Sequence, residues 1–189
     1  MFKRLKGQAP KAAADVEPPK PSIPTVKFDP RRVTEGVKAD LRENIKALGE
    51  VGIANFELIY EAALRSITAG RDLHVLYVAL MTIDGMTKSR ASNISRSLNN
   101  KAASLMEVNQ QVGLGIEYAL WCHSGAPCGP NDDRAHRAAN GKPYRVASGM
   151  LLNDRRTWPG REEGCKCESN SIIAGLNGYA GGTPEGIAE

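Results

Sequence analysis

The chain has 189 residues, of which 41% are apolar, 24% charged and 5% aromatic. That balance excludes whole-chain disorder and suits one domain with a mainly aliphatic core rather than two full domains. No apolar run reaches the roughly 18 residues needed to cross a bilayer, and the net charge of +4 is uneven: residues 1–38 hold nine Lys or Arg against four acids, while residues 39–189 hold 16 against 17.

The opening MFKRLKGQAP has basic residues but no apolar stretch behind them. It does not read as a secretory signal, so a cytoplasm with reduced thiols is the expected folding compartment. Six prolines between Pro10 and Pro30, with few large apolar residues, make residues 1–30 an extended basic arm that orders on a partner,. Lys3, Arg4, Lys6 and Lys11 are its candidate nucleic-acid contacts.

Residues 31–112 read as helical. Val33, Val37, Leu41, Ile45 and Leu48 recur at spacings of three and four from Arg31 onward,. Ile53, Phe56, Tyr60, Ala63, Leu64 and Ile67 form a second apolar stripe, with Gly70 placed for a left-handed cap,. A third helix is predicted from Asp72 to Ile83, ending at the turn pair Asp84-Gly85. The longest begins at Thr87 or Ser89 and runs through Ile94, Leu98, Ala102, Leu105, Val108 and Val112; its polar face is basic and amide-rich.

After Gly113 the texture changes. Residues 113–175 carry short apolar segments, IEYALWCHSG, KPYRVA and GMLLND, divided by Gly, Pro, Asp and Asn, and predict two or three short strands in a small loop-rich α+β subdomain,. Residues 176–189 read as a flexible tail. The fold class expected is therefore α+β, with a helical N-terminal half behind the arm and a small subdomain after it.

All four cysteines, Cys122, Cys128, Cys165 and Cys167, fall in that subdomain, with His123 and His136 among them. So few large apolar side chains make a poor core, and small units of this kind are usually stapled by metal or disulfide. A structural zinc site needs four Cys or His ligands, commonly as two close pairs. Cys165 and Cys167 make one pair; Cys128 with His136, or Cys122 with Cys128, makes the other. C-x-C and C-x5-C are not the spacings of common zinc fingers, and inert buried thiols or disulfides stay open beside zinc.

The order Trp121, Asp133-Arg134, His136, Gly141-Lys142, Tyr144, Pro159-Gly160 and Cys165-Lys166-Cys167 resembles the C-terminal domain of phage head morphogenesis proteins, the phage Mu protein F-like minor head family. The resemblance runs from about Ser89 to Ile173. In that family a Cys-x-x-Cys precedes the Gly-Lys, and Cys-Arg-Cys closes the domain. Here Asp133 and His136 stand where the first pair falls, and Lys166 replaces the Arg, keeping the charge but not the planar fork.

The resemblance implies His136 as a ligand or site-organising residue, with Cys128 or, alternatively, Cys122 supplying what Asp133 lacks. It implies a noncatalytic minor capsid or head morphogenesis protein, acting in head assembly near the portal vertex, in the virion head or neck and in the host cytoplasm during assembly. Partners would be the portal protein, the major capsid protein or other head and neck proteins, with packaged DNA as a further one and several copies in a symmetric assembly. A head-to-tail adaptor on the portal ring is the neighbouring alternative. A zinc-stabilised nucleic-acid-binding protein is the alternative from another class, motivated by the arm and the basic helix. Asp133 with His136 makes a poor hydrolase, since no nucleophile stands beside a base and no phosphate loop is present.

Overall fold

Helix caps, more than apolar spacing, decide where the first elements begin. The computed structural model describes residues 28–129, 133–176 and 181–187. Asp29 accepts from the Arg31 N–H and starts a 3-10 turn, Pro30–Arg32. Thr34 then caps α1 (Glu35–Lys46) by accepting from the Val37 N–H, so this helix starts four residues later than its apolar spacing suggests,. Next comes α2 (Ile53–Thr68), closed by Gly70 at φ 79°. The third, α3 (Leu73–Leu80), is capped by Asp72 and is shorter than expected, because Met81 to Ile83 tighten into turns. Thr87 caps α4 (Lys88–Gly113), a helix of 26 residues.

These four helices close on one core. Val37, Leu41, Ile45, Ile59, Ile67, Leu76, Leu80, Ile94 and Leu98 are all nearly or fully buried within it. Most of the apolar stripes read from the sequence face this core, but Ile53 and Val112 stand exposed, at 99% and 51%, and Ile59, which the stripe on α2 left out, is fully buried. Ser66 and Asn99 are buried there too and satisfy one another, Asn99 Nδ2 donating to Ser66 Oγ at 3.0 Å,.

The second half is built on strands. A three-stranded antiparallel sheet runs β2-β1-β5, with β1 (Tyr118–Cys122) central between β2 (Pro143–Arg145) and β5 (Glu168–Ile172). The register sets Ala119 opposite Tyr144 and Trp121 opposite Ser169. A separate hairpin pairs β3 (Met150–Leu152) with β4 (Arg155–Thr157). Its two-residue turn, Asn153-Asp154, has φ 48° and 61°, as a hairpin turn matching strand twist requires,. A fifth helix, α5 (Asp133–Ala139), lies among the loops of this half.

The α+β class is as expected, with five strands among the described residues where two or three were predicted. The two additional strands, β4 and β5, read RRT and ESNSI and carry no apolar alternation. Lys3, Arg4, Lys6 and Lys11 of the arm, and Asp132, lie outside the described residues. Within the tail, Thr183 Oγ1 comes to 3.4 Å from the Tyr118 hydroxyl.

The polar face of α4 carries the second half. Asn100 Nδ2 donates to the Cys165 carbonyl at 3.1 Å, Ser104 Oγ to the Pro159 carbonyl at 2.5 Å, and Gln111 Nε2 to Ser169 Oγ and Ser171 Oγ at 2.9 and 3.0 Å. Arg161 reaches back to α1 and binds both oxygens of Asp40, at 2.6 and 2.8 Å. Much of the amide-rich surface that suggested an outside ligand is thus used to join the two halves.

Candidate metal centre

Three elements converge on one point. The loop after β1 delivers Cys128, the middle of α5 delivers His136, and the loop before β5 delivers Cys165 and Cys167. Their ligand atoms are all buried and lie within 4.8 Å of one another. His136 Nδ1 is 3.5 Å from Cys165 Sγ and 3.8 Å from Cys167 Sγ, and Cys128 Sγ is 3.6 Å from Cys167 Sγ. The four cysteines are free thiols, and a gap of 3.6 Å is far beyond a sulfur–sulfur bond of about 2.05 Å. The cluster can hold a metal ion.

The sequence named all four of these residues and left one choice open, which the fold decides. Cys122, the alternate ligand, stands outside the cluster on β1, where burial and then Glu168 push its thiol up. Cys128, and not Asp133, completes the four-residue cluster. Asp133 contributes differently: its Oδ1 accepts from the Cys128 backbone N–H at 2.9 Å, and Arg137 Nε donates to its Oδ2 at 2.6 Å. These bonds, the one from Cys128 foremost, hold the Asp133 carboxyl down to about 2. The carboxylate therefore positions the loop that presents the ligand.

His123, Cys128 and Asp133 also lie within reach of a shared ion, but the protons argue against one. The Gly125 N–H donates to His123 Nδ1 at 3.0 Å, so in the neutral ring Nε2 carries the hydrogen,. That Nε2 faces Asp133 Oδ1 at 3.4 Å and donates to it. A nitrogen that donates a proton has no lone pair for a metal, and His123 is a brace for Asp133.

The thiols of the main cluster influence one another's protonation. The Cys165 thiol is drawn down to about 5, chiefly by Cys167 as its hydrogen-bond donor, with the Cys167 and Gly160 N–H groups and His136 adding to the effect. Cys167 is pushed up by that same bond and by burial, and Cys128 is pushed up by burial. Without a positive charge among them, one thiolate forms at the cost of the others.

The surrounding motif residues pack the cluster from outside. Trp121 is fully buried, its ring 5.0 Å from that of His136 and 6.4 Å from that of Tyr144. Gly141 N–H donates to the Trp121 carbonyl at 2.7 Å and Lys142 O accepts from the Trp121 N–H at 3.0 Å, so the Gly-Lys pair turns the chain into β2 beside β1. Trp158 Nε1 donates to the Val146 carbonyl at 2.7 Å, and the Gly160 N–H reaches Cys165 Sγ at 3.3 Å. Arg134 is exposed on α5.

Gly129 escaped the sequence reading, and Gly164 entered it only as the flank of Cys165-Lys166-Cys167. Each adjoins a ligand, and the two loops touch there: a Cβ on Gly129 would sit 2.5 Å from the Glu163 carbonyl oxygen, and one on Gly164 3.4 Å from Gly129. A glycine beside a ligand cysteine in each loop was the available signal. Comparison with known proteins adds no relative, since no family profile, curated protein or solved structure matches the chain.

Proposed function

We propose that this chain is a noncatalytic, zinc-stapled structural component of a phage head, acting in head assembly near the portal vertex. One observation carries the reading: five of the motif residues that resemble the Mu F-like pattern, Trp121, His136, Tyr144, Cys165 and Cys167, are scattered along the sequence and build or pack around a single buried cluster. An ordered set of weak motifs that folds into one unit supports common design over coincidence.

Zinc is the fitting ion. Thiolate bonds of about 2.3 Å and an imidazole bond of about 2.0 Å at tetrahedral angles put neighbouring ligand atoms roughly 3.5–3.8 Å apart. Three of the six separations, 3.5, 3.6 and 3.8 Å, match, and all six lie within 4.8 Å. Three sulfurs and one nitrogen close the shell with protein atoms, which is the arrangement of a structural site rather than a catalytic one. Such an ion would tie the loop after β1, α5 and the loop before β5 into one body, leaving the arm and the exposed helix faces for portal, capsid or neck proteins.

The test has two parts. Metal analysis of protein purified without chelator should give about one zinc per chain; four titratable thiols and no metal would remove the zinc. Antibody labelling and reconstruction of purified particles should place the chain at one vertex of DNA-filled heads. A chain missing from particles would overturn the head reading, and a closed ring on the portal would reassign it as a head-to-tail adaptor.

A further inference from the structure

Along the seam between α4 and the metal-binding half runs a cleft of about 660 Å³. One wall is a stripe of α4, with Arg90, Asn93, Arg96 and Asn100 at helical spacing; the other is the pair of loops that carry Cys128 and Lys166, with Arg71 at one end,. We propose that this cleft binds a phosphodiester backbone, as a single strand or as one edge of a duplex.

The charge distribution carries the argument. Residues 39–189 hold 16 basic against 17 acidic residues, yet four of those cations and one acid, Glu163, line this one cleft. Arg90 is neutralised by Glu50 at 2.6 Å and Glu163 at 3.0 Å. The other three are not: among the described residues no carboxylate pairs with Arg71, Arg96 or Lys166. The partners of Arg71 and Lys166 are neutral, the Asn100 side-chain oxygen for Arg71 and the Pro127 carbonyl for Lys166. A cleft lined by one sign of charge focuses its field and attracts the opposite sign.

Backbone geometry adds a second observation. Arg71 follows Gly70 in the left-handed region, at φ 74°, where glycine is the ordinary residue,. The Ser66 carbonyl, accepting from the N–H groups of both Arg71 and Asp72, fixes that conformation, while Asn100 on α4 accepts from the Arg71 guanidinium. An arginine is thus held in place at the end of the cleft.

The size suits the ligand. From Asn93 to Asn100 the α4 wall is about 10 Å long at 1.5 Å per residue. That length suits a short run of a phosphodiester backbone, with Arg96 on the α4 wall and Arg71 and Lys166 lining the rest of the cleft. The cleft lining contains no aromatic ring for base stacking, so the contact is to the backbone and tolerant of sequence. The inference does not rest on the head reading, since oligonucleotide binding in solution needs no particle.

The experiment is a salt series of anisotropy titrations with the full-length, metal-loaded chain and short labelled oligonucleotides, single-stranded and duplex. Binding should weaken with salt, and whichever oligonucleotide binds more tightly identifies the form. Arg96→Glu should bind about tenfold more weakly, with a log–log slope shallower by about 0.7 on a single strand, and should keep its metal content and melting temperature because Arg96 is exposed. The arm is controlled by replacing Lys3, Arg4, Lys6 and Lys11 with Gln, which should leave the Arg96-dependent component in place. Parent-like binding by Arg96→Glu, or complete loss of binding in the arm variant, overturns the proposal. So does an Arg96-dependent affinity for polyglutamate greater than that for either oligonucleotide, which would assign the cleft to an acidic protein partner.

Discussion

The two halves of the molecule are held together by different means. Among the described residues, the helical half buries eighteen apolar side chains in one cluster and contains no cysteine; the strand-bearing half's own cluster holds seven, two of which are the candidate ligands Cys165 and Cys167, with Tyr118 buried outside it. A core of eighteen can hold a bundle by hydrophobic burial alone. A core of seven is small for that purpose; hydrogen bonds tie the strand-bearing half to α4, and under the proposed function a bound metal supplies the rest,. Stability in one half is therefore distributed, and in the other it is concentrated in a few atoms.

Removing the metal should break this contrast most sharply. Structural zinc contributes folding free energy of about 10–16 kcal/mol in small peptides, and Cys165→Ser or a strong chelator should abolish most of it. Both tryptophans, Trp121 and Trp158, lie in the strand-bearing half, so their fluorescence reports that half alone. A red shift of emission with most helical circular dichroism retained is expected; an unchanged Trp spectrum in chelator would show that seven buried side chains suffice. The converse variant, Leu76→Ala, empties a fully buried site between α3 and its neighbours. It should cost about 2–5 kcal/mol and lower the melting temperature while metal content stays the same.

The same contrast explains what could be read in the sequence. Helical periodicity is a signal of burial, so α1 to α4 were legible wherever Val37, Leu41, Ile67 or Leu98 repeat on one face; the ends, set by Thr34 and by the turns after Leu80, were not, nor was the exposure of Ile53 at the start of α2. In the strand-bearing half, β5 is held by pairing with β1 and by Gln111 rather than by apolar alternation, and its sequence ESNSI gives no periodic cue. The ligands were legible because cysteine and histidine are chemically distinctive. The choice of Cys128 over Cys122 was not, because it depends on a loop bent by Asp133.

Two smaller effects sharpen the boundary between the halves. Gly129→Ala would drive a Cβ to 2.5 Å from the Glu163 backbone oxygen and force the two ligand loops apart. About 1–3 kcal/mol is expected from such overpacking, with weaker metal binding and an intact helical half. Asp40→Asn breaks the two-pronged contact with Arg161. It should cost about 1 kcal/mol, and a double-mutant cycle with Arg161→Gln would show whether that energy belongs to the pair.

The smallest effect concerns Asp133, and its sign can be worked out. Its carboxyl is held down to about 2, first by the Cys128 N–H and then by Arg137, against an unfolded value of about 3.9. A carboxylate with a depressed value stabilises the fold fully above the unfolded value, and that contribution is lost as the pH falls through about 2. Metal leaves at higher pH, because protons compete for the thiolates. The advantage of the parent over Asp133→Asn in metal affinity should therefore be below about tenfold and constant from about pH 5 to pH 8. Asp133→Ala, which also removes the acceptor for the Cys128 N–H, should bind metal more weakly than Asp133→Asn. Equal affinities for all three proteins would mean that Cys128 reaches the cluster without its brace, and an advantage that changed across that pH range would mean that another titrating group holds the loop.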